Sequence, residues 1–160
     1  MERIDQICCH PLWKESYEKI QELEKDRIFC GHDMVHFLDV ARIAYIETLE
    51  RRLGISRELI YSAALLHDIG RHLQYTRNIP HEQGSCILAE QILKDCGYEE
   101  EDRKQVLEAI RAHRSKETEK LDNLAGVLYR ADKKSRKCLF CRARKECDWP
   151  EKKKNLVVSV

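Results

Sequence analysis

No apolar run in this 160-residue chain approaches the roughly 20 residues that a membrane-spanning helix requires. The opening stretch, "MERIDQICCH", lacks the basic-then-apolar order of an export signal. There is no internal repeat, no low-complexity tract and no series of closely spaced hairpin turns. These absences argue against membrane, exported, solenoid and all-β classes, and the expectation is a cytoplasmic protein. With 42% apolar and 36% charged residues, the composition is that of a globular chain and not a disordered one. Its length suits one domain with its own core.

Cysteine, by contrast, is plentiful, at eight residues. In a reducing compartment that count points to metal binding, reactive thiols or burial before disulfides. Cys86 and Cys96 fall within a helical pattern and are expected to be buried as small apolar residues. The formal charge of +1 conceals an asymmetry. Residues 130–154 hold 11 Lys and Arg against 4 Asp and Glu, which leaves the remainder at −6. A basic C-terminal quarter of this kind suits a solvated face or a bound polyanion.

Nearly every segment has helical periodicity. "PLWKESYEKIQELEK" begins with a proline at a first helical position, and Trp13, Tyr17, Ile20 and Leu23 share a face. Asp33 is a natural cap for "MVHFLDVARIAYIETLERRL", with Gly54 as its stop. Ser56 caps "RELIYSAALLHD", and "GRHLQYTRNIP" has the composition of a loop. A further helix is expected from about His81 to Gly97. "EEEDRKQVLEAIRAH" opens with acids, as the helix dipole favours, and "EKLDNLAGVLYRADKK" makes another helix. The terminal "NLVVSV" is left as a short strand or a frayed end. The predicted fold class is all-α.

Ionisable residues recur on the apolar faces of these helices. His36 shares a face with Val40 and Ile43, and His67 with Ile60, Ala63 and Ala64. Asp68 adjoins His67, and His81 opens a helix after a proline. His113 continues the stripe of Val106, Ala109 and Ile110, and Asp132 that of Leu121, Leu124, Ala125 and Leu128. A lone histidine on such a face is most simply a satisfied core residue. Buried carboxylates need cations or donors, so four histidines and two aspartates together have the composition of a one- or two-metal site in a helical bundle.

The ordered stretches "HFLDVARIA", "ALLHDIGR", "IPHEQGSCILAE", "AIRAH" and "LYRAD" resemble the HD-domain phosphohydrolase superfamily over residues 30–136. The resemblance implies a helical bundle in which His36, His67, Asp68 and Asp132 ligate one divalent ion. It also implies that His81 and His113, with Asp68 as a bridge, ligate a second. The pattern of "H..GS..LAE", "AI.AH" and "LY.AD" looks most like the branch that splits dinucleoside tetraphosphates symmetrically. The chain departs from that branch after His113 and after Asp132, where it reads "RSK" and "KKSRKC". The histidine pair and Gly-Tyr-Pro signature of the cyclic-dinucleotide branch are missing. The implied activity is hydrolysis of a phosphoester or phosphoanhydride by water activated on iron, manganese, cobalt, nickel or zinc, with Asp68 central to catalysis. Arg71, Arg114 and Lys133 are candidates for gripping substrate phosphates. The chain also has a second His-Asp pair, in which Asp33 is accounted for as a cap and His32 is expected to be peripheral.

This division makes residues 1–29 an N-terminal helical segment packed on the core. Residues 137–160 are a basic, cysteine-containing extension of the same globular unit. Cys138, Cys141 and Cys147 form C-x₂-C-x₅-C, one ligand short of a closed four-cysteine site. Cys30 precedes His36 by six residues and Cys138 follows Asp132 by six, so Cys30 is the candidate fourth ligand. Structural zinc, an iron–sulfur cluster and unligated thiols remain open. A metal- or redox-responsive binding module and a nucleic-acid binder using the basic tail are the competing functional readings. The sequence does not state the oligomeric order.

Overall fold

The computed structural model describes residues 2–158 and is all-α among them, with no strand. Its eight α-helices are α1 Glu2–Cys9, α2 Pro11–Glu24, α3 Met34–Glu50, α4 Arg57–Leu66, α5 Arg71–Arg77, α6 His81–Asp95, α7 Glu100–Ala112 and α8 Leu124–Lys134. Short 3₁₀ turns occupy Lys116–Lys120, Cys138–Phe140 and Glu151–Lys153. Among the described residues, no helix is long and apolar enough to cross a membrane.

The expected helix starts form by the expected chemistry. Pro11 opens α2, the Asp33 carboxylate accepts from the His36 amide, and Ser56 accepts from the Glu58 amide. Asn123 caps α8 by accepting from Gly126. Several boundaries differ from the sequence reading. Helix α3 ends at Glu50, before Gly54, because Arg52 already turns the chain at φ 53°. The segment read as a loop contains α5, closed by Asn78 in the left-handed conformation at φ 54°. Helix α1 lacks a strong sequence signal but buries Ile4 and Ile7. Leu23 and Leu121, assigned to apolar faces, are 47% and 45% exposed. Leu121 precedes α8 and so never joins its stripe. The end of the chain through Val158 forms no strand, and the last two residues of "NLVVSV" lie outside the described ones.

Helix α3 packs on α4 and α8, and α7 packs on α4, α6 and α8. Phe37, Ile60, Leu65, Leu66, Ile110 and Leu128 fill the space between these helices and are fully buried. Each such side chain contributes about 1.5–3 kcal/mol of hydrophobic stabilisation. Helices α1 and α2 cover the open side, against α4 and α5 respectively. The Trp13 indole donates to the Leu65 carbonyl at 2.9 Å, which ties the N-terminal segment to the end of α4. Cys96 is buried and Cys86 half-buried, as small apolar residues would be.

Candidate metal centre

Five helix ends meet at one point. His36 lies in the first turn of α3, His67 caps the C-terminus of α4, and His81 is the first residue of α6. His113 caps the C-terminus of α7, and Asp132 sits in the last turn of α8. Asp68 occupies the four-residue turn between α4 and α5. Helix ends are where side chains can project into a shared space without crossing a neighbouring backbone. The close approach of Gly70 to α6 brings His81 in. A Cβ at position 70 would lie 2.2 Å from the Ser85 nitrogen, so only glycine permits this spacing.

Two groups of metal-ligating atoms result, His36–His67–Asp68–Asp132 and Asp68–His81–His113, each with its donor atoms mutually within 4.8 Å. Asp68 belongs to both and divides its oxygens between them. Its Oδ2 faces His67 Nε2 at 3.3 Å and His36 Nε2 at 3.7 Å, while its Oδ1 faces His81 Nε2 at 3.1 Å and His113 Nε2 at 3.8 Å. Asp132 Oδ1 lies 3.8 Å from His36 and 4.0 Å from His67.

The rings are oriented from behind. His67 Nδ1 donates to the Ala64 carbonyl at 2.7 Å, His113 Nδ1 to the Ile110 carbonyl, and His81 Nδ1 to the Gln74 side-chain oxygen at 2.6 Å. Each Nε2 lone pair is thereby aimed at the centre. Burial pushes His81 down to about 3 and His113 down to about 4, so both are neutral near pH 7. Their Nε2 atoms stand 3.2 Å apart. Two lone pairs facing each other at that distance call for a cation between them. Two nitrogens on adjacent positions of one ion, at about 2.1 Å each, would stand about 3 Å apart. His36 Nε2 and His67 Nε2 are buried without a hydrogen-bond partner. These residues fit divalent metal ions. For His67, burial pushes the pKa down, but Asp68 and Asp132 outweigh it and push it up. Burial pushes the Asp68 carboxyl up, but His67, Arg71 and His32 hold it well below the usual carboxylate range. Burial likewise pushes the Asp132 carboxyl up, but Lys133 and His67 hold it low, so both aspartates are ionised and ready to act as metal ligands.

His32 corrects the sequence reading. Asp33 is the cap it was expected to be, but His32 is not peripheral. It is buried, and its Nε2 lies 3.5 Å from Asp68 Oδ2. Its Nδ1 is held at 2.6 Å by Glu24, which also accepts from the Tyr75 hydroxyl and from the His32 amide. Burial pushes Glu24 up, but its hydrogen bond with His32 leads the opposing causes and brings it to about 2. His32 is thus oriented from behind, as the other histidines are. The available signal was its spacing of four from His36, which continues the helical face back past the cap.

Above the donor groups lies a cavity of about 1210 Å³. Its lining holds 11 Lys and Arg against 4 Asp and Glu, so the space favours anions. Arg71 is inside it, with Nε 3.2 Å from Asp68 Oδ1. Lys133 reaches Asp132 Oδ2 at 2.5 Å, and Arg114 lies at the rim beside Glu82 at 3.4 Å. Of the cysteines, Cys30 and Cys141 line the same cavity, but none joins the histidine–carboxylate groups.

Comparison with known proteins matches residues 34–137 to the family described as HD domain. A protein of Clostridium beijerinckii that carries the description "Uncharacterized protein" is 46% identical over 138 residues, covering 86% of this chain and 86% of that protein. No solved structure matches.

Proposed function

Because the chain belongs to the HD-domain family, we propose that it is a metal-dependent phosphohydrolase acting on a nucleotide or a related small polyphosphorylated molecule. One observation carries this reading. A single carboxylate, Asp68, turns one oxygen to each of two donor groups at the floor of a cavity whose walls are cationic.

In this reading His36, His67, Asp68 and Asp132 would hold one divalent ion, and Asp68, His81 and His113 would hold a second. When bound, such ions activate water near neutral pH and offset the negative charge that builds up at phosphorus. The chain's own residues do the remainder. Arg71 lies close enough to the centre to hold a phosphate oxygen while its other contact, with Asp68, keeps it in place. Lys133 screens Asp132 from incoming phosphate, and Arg114 at the rim meets the more distant part of the substrate. The volume of the cavity supports a ligand larger than inorganic phosphate, and its charge supports one with several phosphates. Symmetrical cleavage of a dinucleoside polyphosphate is the form of this activity to which the sequence resemblance points.

The test is hydrolysis of a panel of nucleotides, dinucleoside polyphosphates and simple phosphoesters after loading with manganese, iron, cobalt, nickel or zinc. Metal-dependent turnover of at least one phosphorylated class is expected, with Asp68→Ala lowering kcat/KM by at least ~10³-fold. An Asp68→Ala protein as active as the parent overturns the mechanism. A folded, metal-loaded protein that hydrolyses none of the panel overturns the assignment and favours a binding module.

A further inference from the structure

Outside the histidine–carboxylate groups, Cys30, Cys138, Cys141 and Cys147 are four free thiols, a side-chain type that ligates metals. Cys30 belongs to the link between α2 and α3, and the other three follow α8, yet Cys30 and Cys141 line one cavity. Burial pushes the Cys30 thiol up, Arg136 pulls it down, and Cys138, Cys141 and Cys147 each push it up again. All three sulfurs are therefore within electrostatic reach of the first.

The segment bearing them is held in place by its own bonds. Cys138–Phe140 form a 3₁₀ turn, and the Cys141 amide donates to the Cys138 carbonyl at 3.2 Å. The Asn155 side-chain amide donates to the carbonyls of Lys133, Lys134 and Arg136, and the Asn155 backbone carbonyl accepts from the Leu139 amide at 3.0 Å. The side chain of Lys154 is almost fully covered and donates to the carbonyls of Arg144 and Cys147. Lys137 reaches Asp39 on α3 at 3.0 Å, and both line the cavity that Cys30 lines. A chain end with so few large buried apolar residues gains little from hydrophobic packing, yet its backbone is folded around the three cysteines.

The spacing of the sulfurs separates the ligand classes. Four thiolates on one tetrahedral zinc, with bonds of about 2.3 Å, stand about 3.8 Å from one another. Here no three of the sulfurs lie within 4.8 Å of each other. A four-iron cluster places each thiolate on a different iron and so requires a wider set. Charge suits thiolate ligation of either class. Four thiolates bring four negative charges, and residues 130–154 hold 11 Lys and Arg against 4 Asp and Glu.

We propose that Cys30, Cys138, Cys141 and Cys147 ligate a four-iron, four-sulfide cluster that clasps the C-terminal segment over the mouth of the cavity. Each thiol gives up its proton on ligation, and no electron transfer is required of the cluster. Phe29 and Phe140 each adjoin a ligand and line the cavity, so the clasp also sets the position of two aromatic rings at its entrance.

The experiment is anaerobic purification of the full chain, with iron, zinc and acid-labile sulfide measured per chain and the visible absorption recorded. About four sulfides per chain are expected, with broad sulfide-to-iron absorption. His67→Ala should retain both, since sulfide is not a ligand of the histidine–carboxylate centre. Cys30→Ser and Cys141→Ser should each lower sulfide at least tenfold. Sulfide-free protein holding a zinc that Cys141→Ser removes would overturn the cluster in favour of a tetrahedral site. No sulfide and no cysteine-dependent metal, even after anaerobic incubation with ferrous iron and sulfide, would overturn any metal at these thiols. Full sulfide in Cys30→Ser would remove Cys30 from the ligand set. The measurement on the unaltered protein decides the matter even if a variant fails to fold.

Discussion

Replacing Gly70 by alanine tests whether helix packing sets the geometry of the second donor group. The φ of −83° at Gly70 is open to alanine, so backbone strain contributes nothing. The obstacle is steric. The new methyl would lie 2.2 Å from the Ser85 nitrogen, 2.4 Å from the Gly84 carbonyl carbon and 2.8 Å from the His81 carbonyl oxygen. These are backbone atoms, and no rotamer change relieves them. Opening 2.2 Å to an ordinary contact of 3.4 Å moves the start of α6 by about 1.2 Å. His81 is the first residue of that helix and moves with it, away from an Nε2–Oδ1 distance to Asp68 of 3.1 Å. Metal–ligand bonds tolerate only about ±0.2 Å, so the His81–His113 group should lose its ion while the His36–His67–Asp132 group keeps its own. A displacement of about 1 Å also costs activity on the order of 10²-fold, and overpacking costs about 1–3 kcal/mol of stability. Metal content per chain, kcat/KM on the best substrate and urea denaturation read these three effects. Gly54→Ala is the control, because its Cβ would meet nothing within 4 Å and its φ of +69° brings only local strain. A Gly70→Ala protein with full metal content and activity within about threefold of the parent would refute the reasoning.

Three further outcomes are expected. His32→Ala should weaken metal binding or kcat/KM by about 10–100-fold, as loss of a group oriented behind a ligand does; unchanged kinetics would return His32 to the periphery. Glu47→Gln should cost about 1–3 kcal/mol in urea denaturation without changing metal content, because Glu47 Oε1 lies 2.7 Å from Arg130 Nε and 3.0 Å from Arg51 Nη1; an unaltered midpoint would show those pairs to be inert. Metal-free protein should lose stability as the pH falls from about 6.5 to about 4, by about 1.4 kcal/mol per pH unit for each histidine involved. The sign follows from His81 and His113, which burial holds at about 3 and about 4, so across that window the unfolded chain binds protons that the folded chain refuses. His67 is raised and acts the other way, but its gain is complete once the pH is below its unfolded value. Denaturation curves at pH 7, 6 and 5 check this, and equal or greater stability at pH 5 would sink it.

Much of the fold and the six-donor set could be read along the chain because the information is local. Asp33 and Ser56 cap the helices that follow them, and apolar residues at intervals of three and four phase His36, His67 and His113 onto buried faces. Asp132 is buried on α8 even though Leu121, used to extend its stripe, lies outside that helix. The misses have a common cause. Helix α5 has only seven residues, and its C-terminal signal, Asn78 in the left-handed region, is ambiguous in a loop-like stretch. Helix α1 is secured by where Ile4 and Ile7 land on the core, not by its own propensity.

His32 looked dispensable beside the capping Asp33. What holds it at the centre is Glu24 at the end of α2, itself held by Tyr75 on α5, two residues that no reading of residues 30–36 contains. In the same way, the composition showed basic and cysteine-rich residues near the C-terminus, while only the folded chain puts Cys30 and Cys141 on one cavity and turns 11 cations towards it. Helical phase, capping and residue chemistry act within a few positions and are therefore determined by the sequence alone. Distances between atoms carried by different helices depend on how the cores interlock, as Gly70 against Ser85 illustrates, and those only the tertiary structure decides.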